Sequence, residues 1–322
     1  MDQRFHASTS ADDGRLVLYP LLAVFVGALT ALQSRLNGQL SKDIHNGIAA
    51  AIISFGTGWI VLFILCFGIK NERAGLRNIW KGLTSGRLRR WEVIGGMGGG
   101  FFVATQSITV PKLGVAIFTI AITGGQTVAS LLVDKLGISP AGKKKITIPR
   151  IFAAIVTLFA VTVAVYPDLS KATISLFAII LTLFVGVVIA FQQALNGRVN
   201  VVAERPLATA FLNFLMGTLV LIVALTINLS QGGSIGTLPT NIWLYAGGPI
   251  GVIFISVSAF IVKQMGILNF VLTSVSGQLA GALLLDWLAP AAHTSISSYL
   301  VTGVAMTIGA ILLGRYFESR KR

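Results

Sequence analysis

The stretch VGALTALQSRLNG at residues 26–38 returns as VGVVIAFQQALNG at 185–197, and this recurrence decides the fold. Residues 25–66 align without a gap onto 184–225. The match pairs Gly27 with Gly186, Gln33 with Gln192, Asn37 with Asn196, Phe55 with Phe214 and Gly58 with Gly217. A second ungapped match, 91–138 onto 243–290, pairs Trp91 with Trp243, Gly95 with Gly247, Gly114 with Gly266, Gln126 with Gln278 and Asp134 with Asp286. Two long matches in the same order mark an internal repeat.

The composition names the solvent. Hydrophobic residues make up 54% of the 322-residue chain and charged residues only 11%, with a mean hydropathy of +0.83. Soluble domains carry about 25% charge, and a chain this apolar would expose large aggregating patches in water. A helix needs about 20 apolar residues to cross hydrocarbon. Ten such runs lie near 16–35, 47–69, 91–110, 114–134, 148–166, 173–196, 206–229, 243–262, 266–288 and 297–316. The first has the basic flank of a signal peptide, but no A-x-A cleavage site follows it, and its mid-chain counterpart makes it a helix that stays. The chain therefore reads as an all-α integral membrane protein. Tails at 1–15 and 317–322 enclose a first repeat over 16–166 and a second over 167–316.

Charge sets the orientation. With the N-terminus placed in the cytoplasm, Lys and Arg divide 21 to 4 between cytoplasmic and outer segments. Such a bias predicts that both termini are cytoplasmic. Five helices per repeat is an odd number, so the second copy is expected to enter the membrane from the opposite side. The loops agree: 70–90 carries seven basic residues and its counterpart 230–242 none, while 135–150 carries five and 289–296 none. The fold expected is ten transmembrane helices as two inverted five-helix repeats. Inverted repeats place a substrate site near the bilayer midplane. The net charge of +14 is read as attraction to the lipid bilayer rather than nucleic acid, because the basic residues flank apolar runs and do not stripe a helix face.

No carboxylate, Lys, Arg or His stands at a helix centre; the polar groups there are amides and hydroxyls. Thr119, Thr123, Gln126, Ser130 and Asp134 follow one another at steps of four, three, four and four, on one face of the fourth helix. The ninth carries Asn269, Thr273, Ser276 and Gln278. Gln33 with Asn37, and Gln192 with Asn196, close the first and sixth helices, where Asn-Gly at 37–38 and 196–197 suits a helix end. Gln126, Gln278, Gln33, Gln192, Thr123 and Thr273 are the expected substrate contacts, and Asn37 and Asn196 the expected gate or helix-end residues. Gln106 and Asn213 read as bonds between neighbouring helices. Asp134 is expected to pair with Lys135 at the membrane surface. Asp286, with no basic neighbour in sequence, is the residue offered for a proton or cation. Three His and one Cys make no metal site or disulfide framework, and no cofactor is expected.

Ten helices as inverted halves resemble the drug/metabolite transporter superfamily. Within it, LQSRLNG (32–38) with FQQALNG (191–197), and ITGGQ (122–126) with SVSGQ (274–278), are similar to the YdcZ-like exporters of the bacterial inner membrane. The resemblance spans roughly 16–316. It implies a central cavity lined mostly by helices one, three, four, six, eight and nine, with helices five and ten peripheral and offered for contacts in a homodimer. The expected function is a secondary transporter or exporter of a small polar metabolite or drug-like compound. A channel-like facilitator and a lipid translocase are the alternatives. An enzyme is not expected, because no His pair, intramembrane carboxylate pair or Cys-His arrangement is present.

Overall fold

Asn46 stands just before an apolar run, and its side-chain oxygen accepts from Ile48 N (3.1 Å) and Ala49 N (2.9 Å). That cap starts α2 (Gly47–Gly68). The same local chemistry punctuates the rest of the computed structural model, which describes residues 6–138, 140, 142–143, 145–170, 175–265, 267–290 and 296–319. Ser175 caps α7 (Leu176–Ala203), and Pro206 opens α8 (Pro206–Ser230). The other helices are α1 (His6–Asp43), α3 (Lys70–Thr84), α4 (Arg90–Val93), α5 (Gly96–Leu136), α6 (Ile148–Ser170), α9 (Gly247–Met265), α10 (Ile267–Leu288) and α11 (Ser298–Ser319). Gly266, Lys144, Lys171 and the extreme termini lie outside the described residues, as do the side chains of Lys263 and Asn269.

Among the described residues, six stretches are long and apolar enough to cross a membrane: Leu18–Asp43, Gly47–Gly68, Arg90–Leu136, Ile148–Pro167, Leu176–Ala203 and Pro206–Ser230. The third holds 47 residues, about 70 Å of helix and more than twice the hydrocarbon thickness. It breaks at Gly114, whose φ of 77° and ψ of 165° belong to a region glycine reaches without strain.

Residues 6–15, the expected cytoplasmic tail, are helical and run into α1. Two expectations change here. The basic stretch 70–90, read as a loop, contains α3. Its buried positions Gly75, Ile79 and Gly82 recur at helical spacing against α7 and α8. Asn37-Gly38 and Asn196-Gly197 do not end their helices, because α1 runs on to Asp43 and α7 to Ala203. Gly38 is needed where α1 meets Val110 and Pro111, and Gly197 where α7 meets Pro140. The glycine at each site serves close approach rather than a left-handed cap.

The repeats interlock. α1 lies along α10, and α7 along the second half of α5, so each pairing joins one repeat to the other. Glycines let the backbones touch. Gly27 faces the Ser274 carbonyl while its repeat-mate Gly186 faces that of Ile122. Gly277 faces Val24 while its mate Gly125 faces Leu183. A Cβ has no room at any of the four. At the periphery, α6 and α11 pack on one another where Gly303 meets Ala160 and Ala164.

Candidate functional site

The two repeats meet at Phe55 and its repeat-mate Phe214, whose rings stack 4.7 Å apart at 23°. Beside each ring sits a glycine on a neighbouring helix. A Cβ on Gly99 would lie 2.6 Å from Gln192 Nε2, 3.2 Å from the Phe55 ring and 3.3 Å from Asn213 Nδ2. A Cβ on its mate Gly251 would lie 3.1 Å from Gln33 Nε2 and 3.3 Å from the Phe214 ring. The aromatic pair therefore has a glutamine on each side, and the two glutamines are the pair that the repeat aligns.

Two amide clusters extend from this centre. On one side Gln192 Nε2 donates to Asn213 Oδ1 (2.6 Å), and Asn196 Nδ2 donates to the same oxygen (2.9 Å). On the other, Asn37 Nδ2 donates to Gln106 Oε1 (2.7 Å), and Gln106 Nε2 donates to Ser34 Oγ (2.7 Å). Gln106 and Asn213 do bond neighbouring helices as expected, and their partners include Asn37 and Asn196, the expected gate or helix-end residues. Ser34 was not singled out in the sequence. The buried Asn37 Oδ1 and Ser54 Oγ have no hydrogen-bond partner among the described residues, and both face Gly247.

Not every expected contact is engaged. Gln33, Gln126 and Gln278 are half-buried, and no hydrogen bond among the described residues holds their side-chain amides. The hydroxyls of Thr119, Thr123 and Thr127 bond back to carbonyls of their own helix, which satisfies them without lipid or neighbour. Thr273 is half-buried and partnered.

The acidic residues have structural partners. Asp286 accepts from Val115 N (3.0 Å) and Ala116 N (2.7 Å), so its carboxylate caps the helix that restarts after Gly114. Asp134 pairs with Arg150 of α6, not with Lys135, because Arg150 reaches it from the adjacent helix. Glu92, 4% exposed, accepts from Arg89 N (2.7 Å) and pairs with Arg198 of α7 (2.6 Å). Arg198 also donates to the carbonyls of Gly137 and Ile138, tying α7 to the end of α5.

The two ends of the molecule differ although the repeat relates them. Arg198 and Ile138 line a cavity of about 470 Å³ at one end. Their mates Gln39 and Pro290 line one of about 30 Å³ at the other. Helix packing differs in the same sense. α1 closes on α5 through Asn37–Gln106 and Gly38–Val110. The equivalent closure would bring α7 onto α9 through Asn196 and Ser258. Among the described residues α7 does not close on α9, Asn196 turns to Asn213, and the Ser258 hydroxyl has no partner.

Comparison with known proteins agrees with this architecture. A solved crystal structure 16% identical in sequence matches 95% of this chain and 98% of its own with a TM-score of 0.56, a likeness of fold alone. No curated protein matches the chain. The family model described as "Putative inner membrane exporter, YdcZ" matches residues 18–163 and again 177–313, once per repeat. With the paired glutamines, the interlocked helices and the double match in hand, the chain belongs to the YdcZ family of inner-membrane exporters.

Proposed function

We propose that this inner-membrane protein is a secondary transporter that exports a small polar compound by alternating access. Its ten spans form two inverted five-helix repeats, and both termini are cytoplasmic. The observation that carries the reading is the unequal packing of repeat-related helices: α1 closes on α5 through Asn37 and Gln106, while among the described residues α7 does not close on α9. Inverted repeats can exchange conformations, and copies that adopt different packings fit a cycle whose other state swaps those packings between the repeats. The basic residues of 70–90 and of the Arg198 end make the wider end cytoplasmic by the positive-inside rule. The narrower end is then the outer one, sealed by Asn37, Gln106 and Ser34.

Gln33, Gln126, Gln192 and Gln278, with Thr123 and Thr273, are the proposed substrate contacts, and Asn37 and Asn196 the proposed gates. The half-buried amides of Gln33, Gln126 and Gln278, which have no hydrogen-bond partner among the described residues, are available to a neutral or zwitterionic ligand, donating and accepting at once. A thermal-stability screen of the purified protein against polar metabolites and drug-like compounds tests the reading, since a ligand that binds the native form stabilises it by mass action. Each stabilising compound is repeated with Gln126→Leu and Gln278→Leu. Loss of the shift in both variants, with folding retained, supports the site. Retention in both removes these glutamines from it.

A further inference from the structure

Helix α3 is not part of the repeat. Its sequence KNERAGLRNIWKGLT carries Lys70, Arg73, Arg77 and Lys81 at steps of three, four and four, a single stripe along one face. The opposite face is fixed: Gly75 meets Arg205 and Ala208, and Gly82 meets Val202, leaving the basic stripe outward. No carboxylate pairs with the four cations among the described residues; Glu72, the one acidic residue of the helix, forms no ion pair with them. The counterpart segment 231–241 has no basic residue and forms no helix.

The stripe borders a cavity of about 770 Å³, the largest of those described above, and Phe67 and Trp80 share its wall with the four cations. Phe67 belongs to the last turn of α2, the end of an apolar stretch. From there an aromatic strip descends the outer face of α2. Phe67 and Phe63 stand 4.6 Å apart, both rings contact Phe211, and both side chains are exposed, at 47% and 44%. Trp80, 69% exposed, sits beside the cations. Exposed Trp next to basic residues at the end of an apolar helix matches the chemistry of a membrane interface. Cationic charge above and an apolar track below demand a ligand that is anionic at one end and hydrocarbon at the other.

We propose that α3 and the end of α2 form a binding site for an anionic phospholipid. The phosphodiester lies among Lys70, Arg73, Arg77 and Lys81, and an acyl chain runs along Phe67 and Phe63. A free phosphate would use the cations and leave the aromatic track unused, so the track favours lipid. The site is separate from the amide clusters, and its test does not depend on transport.

The test is thermal stability of the detergent-purified protein titrated with phosphatidylglycerol, phosphatidylcholine or glycerol 3-phosphate, with native mass spectrometry to count bound lipid. The proteins are wild type, Arg73→Gln/Arg77→Gln, and Lys143→Gln/Lys145→Gln as a basic control outside the site. Phosphatidylglycerol is expected to stabilise wild type and the control and to bind the α3 variant about 10- to 30-fold more weakly. Phosphatidylcholine and glycerol 3-phosphate are expected to have little effect. If the α3 variant does not fold, Lys70→Gln/Lys81→Gln, both exposed, carries the same expectation. An undiminished response in the α3 variant, an equal loss in the control, or an equal response to glycerol 3-phosphate overturns the proposal.

Discussion

Phe55 and Phe214 each press against the glycine that follows the other by three positions: the Phe55 ring fills the space beside Gly217, and the Phe214 ring the space beside Gly58. The contact is reciprocal because the two phenylalanines are the same residue in two copies of one repeat. It fastens α2 to α8, with Gln192 beside the Phe55 ring at Gly99 and Gln33 beside the Phe214 ring at Gly251.

That reciprocity predicts a pattern of rescue. Gly58→Ala and Gly217→Ala each place a methyl group against a ring, at a cost of about 1–3 kcal/mol for overpacking. Phe214→Leu should relieve Gly58→Ala, and Phe55→Leu should relieve Gly217→Ala, with no relief in the crossed combinations. Unfolding of the single and double variants in detergent checks this. Relief in the crossed pairs would mean that the rings are not seated as described.

Glu92 is nearly inaccessible and depends on Arg198. Arg198→Gln leaves a buried carboxylate with only the Arg89 amide, and we expect a loss of about 2 kcal/mol, moderated because the arginine is over a third exposed. The double variant Glu92→Gln/Arg198→Gln should recover part of the loss, since no buried charge is then left unpaired. A double variant less stable than either single one would contradict the assignment. The readout is the midpoint of thermal unfolding.

Asp286 holds two backbone N–H groups at the break after Gly114. In Asp286→Asn the side chain keeps one acceptor oxygen, so stability should fall by about 1–2 kcal/mol. If the carboxylate serves as this cap, the pH dependence of transport should keep its shape. Transport that loses its pH dependence in the variant, with folding intact, would return Asp286 to the proton or cation role.

The repeat, the apolar runs and the polar residues were legible in the sequence because each rests on spacing along one chain. What was not legible rests on contacts between distant segments. α3 was hidden because the seven basic residues of 70–90, four of them in α3, read as a solvated loop; the spacing of Gly75, Ile79 and Gly82 was the signal that betrays the helix. Asn-Gly suggested a helix end because glycine tolerates left-handed backbone, whereas Gly38 and Gly197 answer to Val110, Pro111 and Pro140 across space. Asp134 finds Arg150 on the next helix instead of its neighbour Lys135. The exchange of partners between halves, with α1 on α10 and α7 on α5, has no trace in either repeat alone.

The most direct measurement uses Asn196→Cys with Ser258→Cys in a Cys66→Ser background. These positions are the repeat-mates of the Asn37–Gln106 closure, and here Asn196 bonds Asn213 while the Ser258 hydroxyl has no partner among the described residues. Alternating access predicts that they meet in the other state. Mild oxidation should then cross-link a fraction of the molecules and block transport, and a reductant should restore it. Both cysteines reacting freely with a thiol reagent while no cross-link ever forms, under conditions where transport proceeds, would contradict the account.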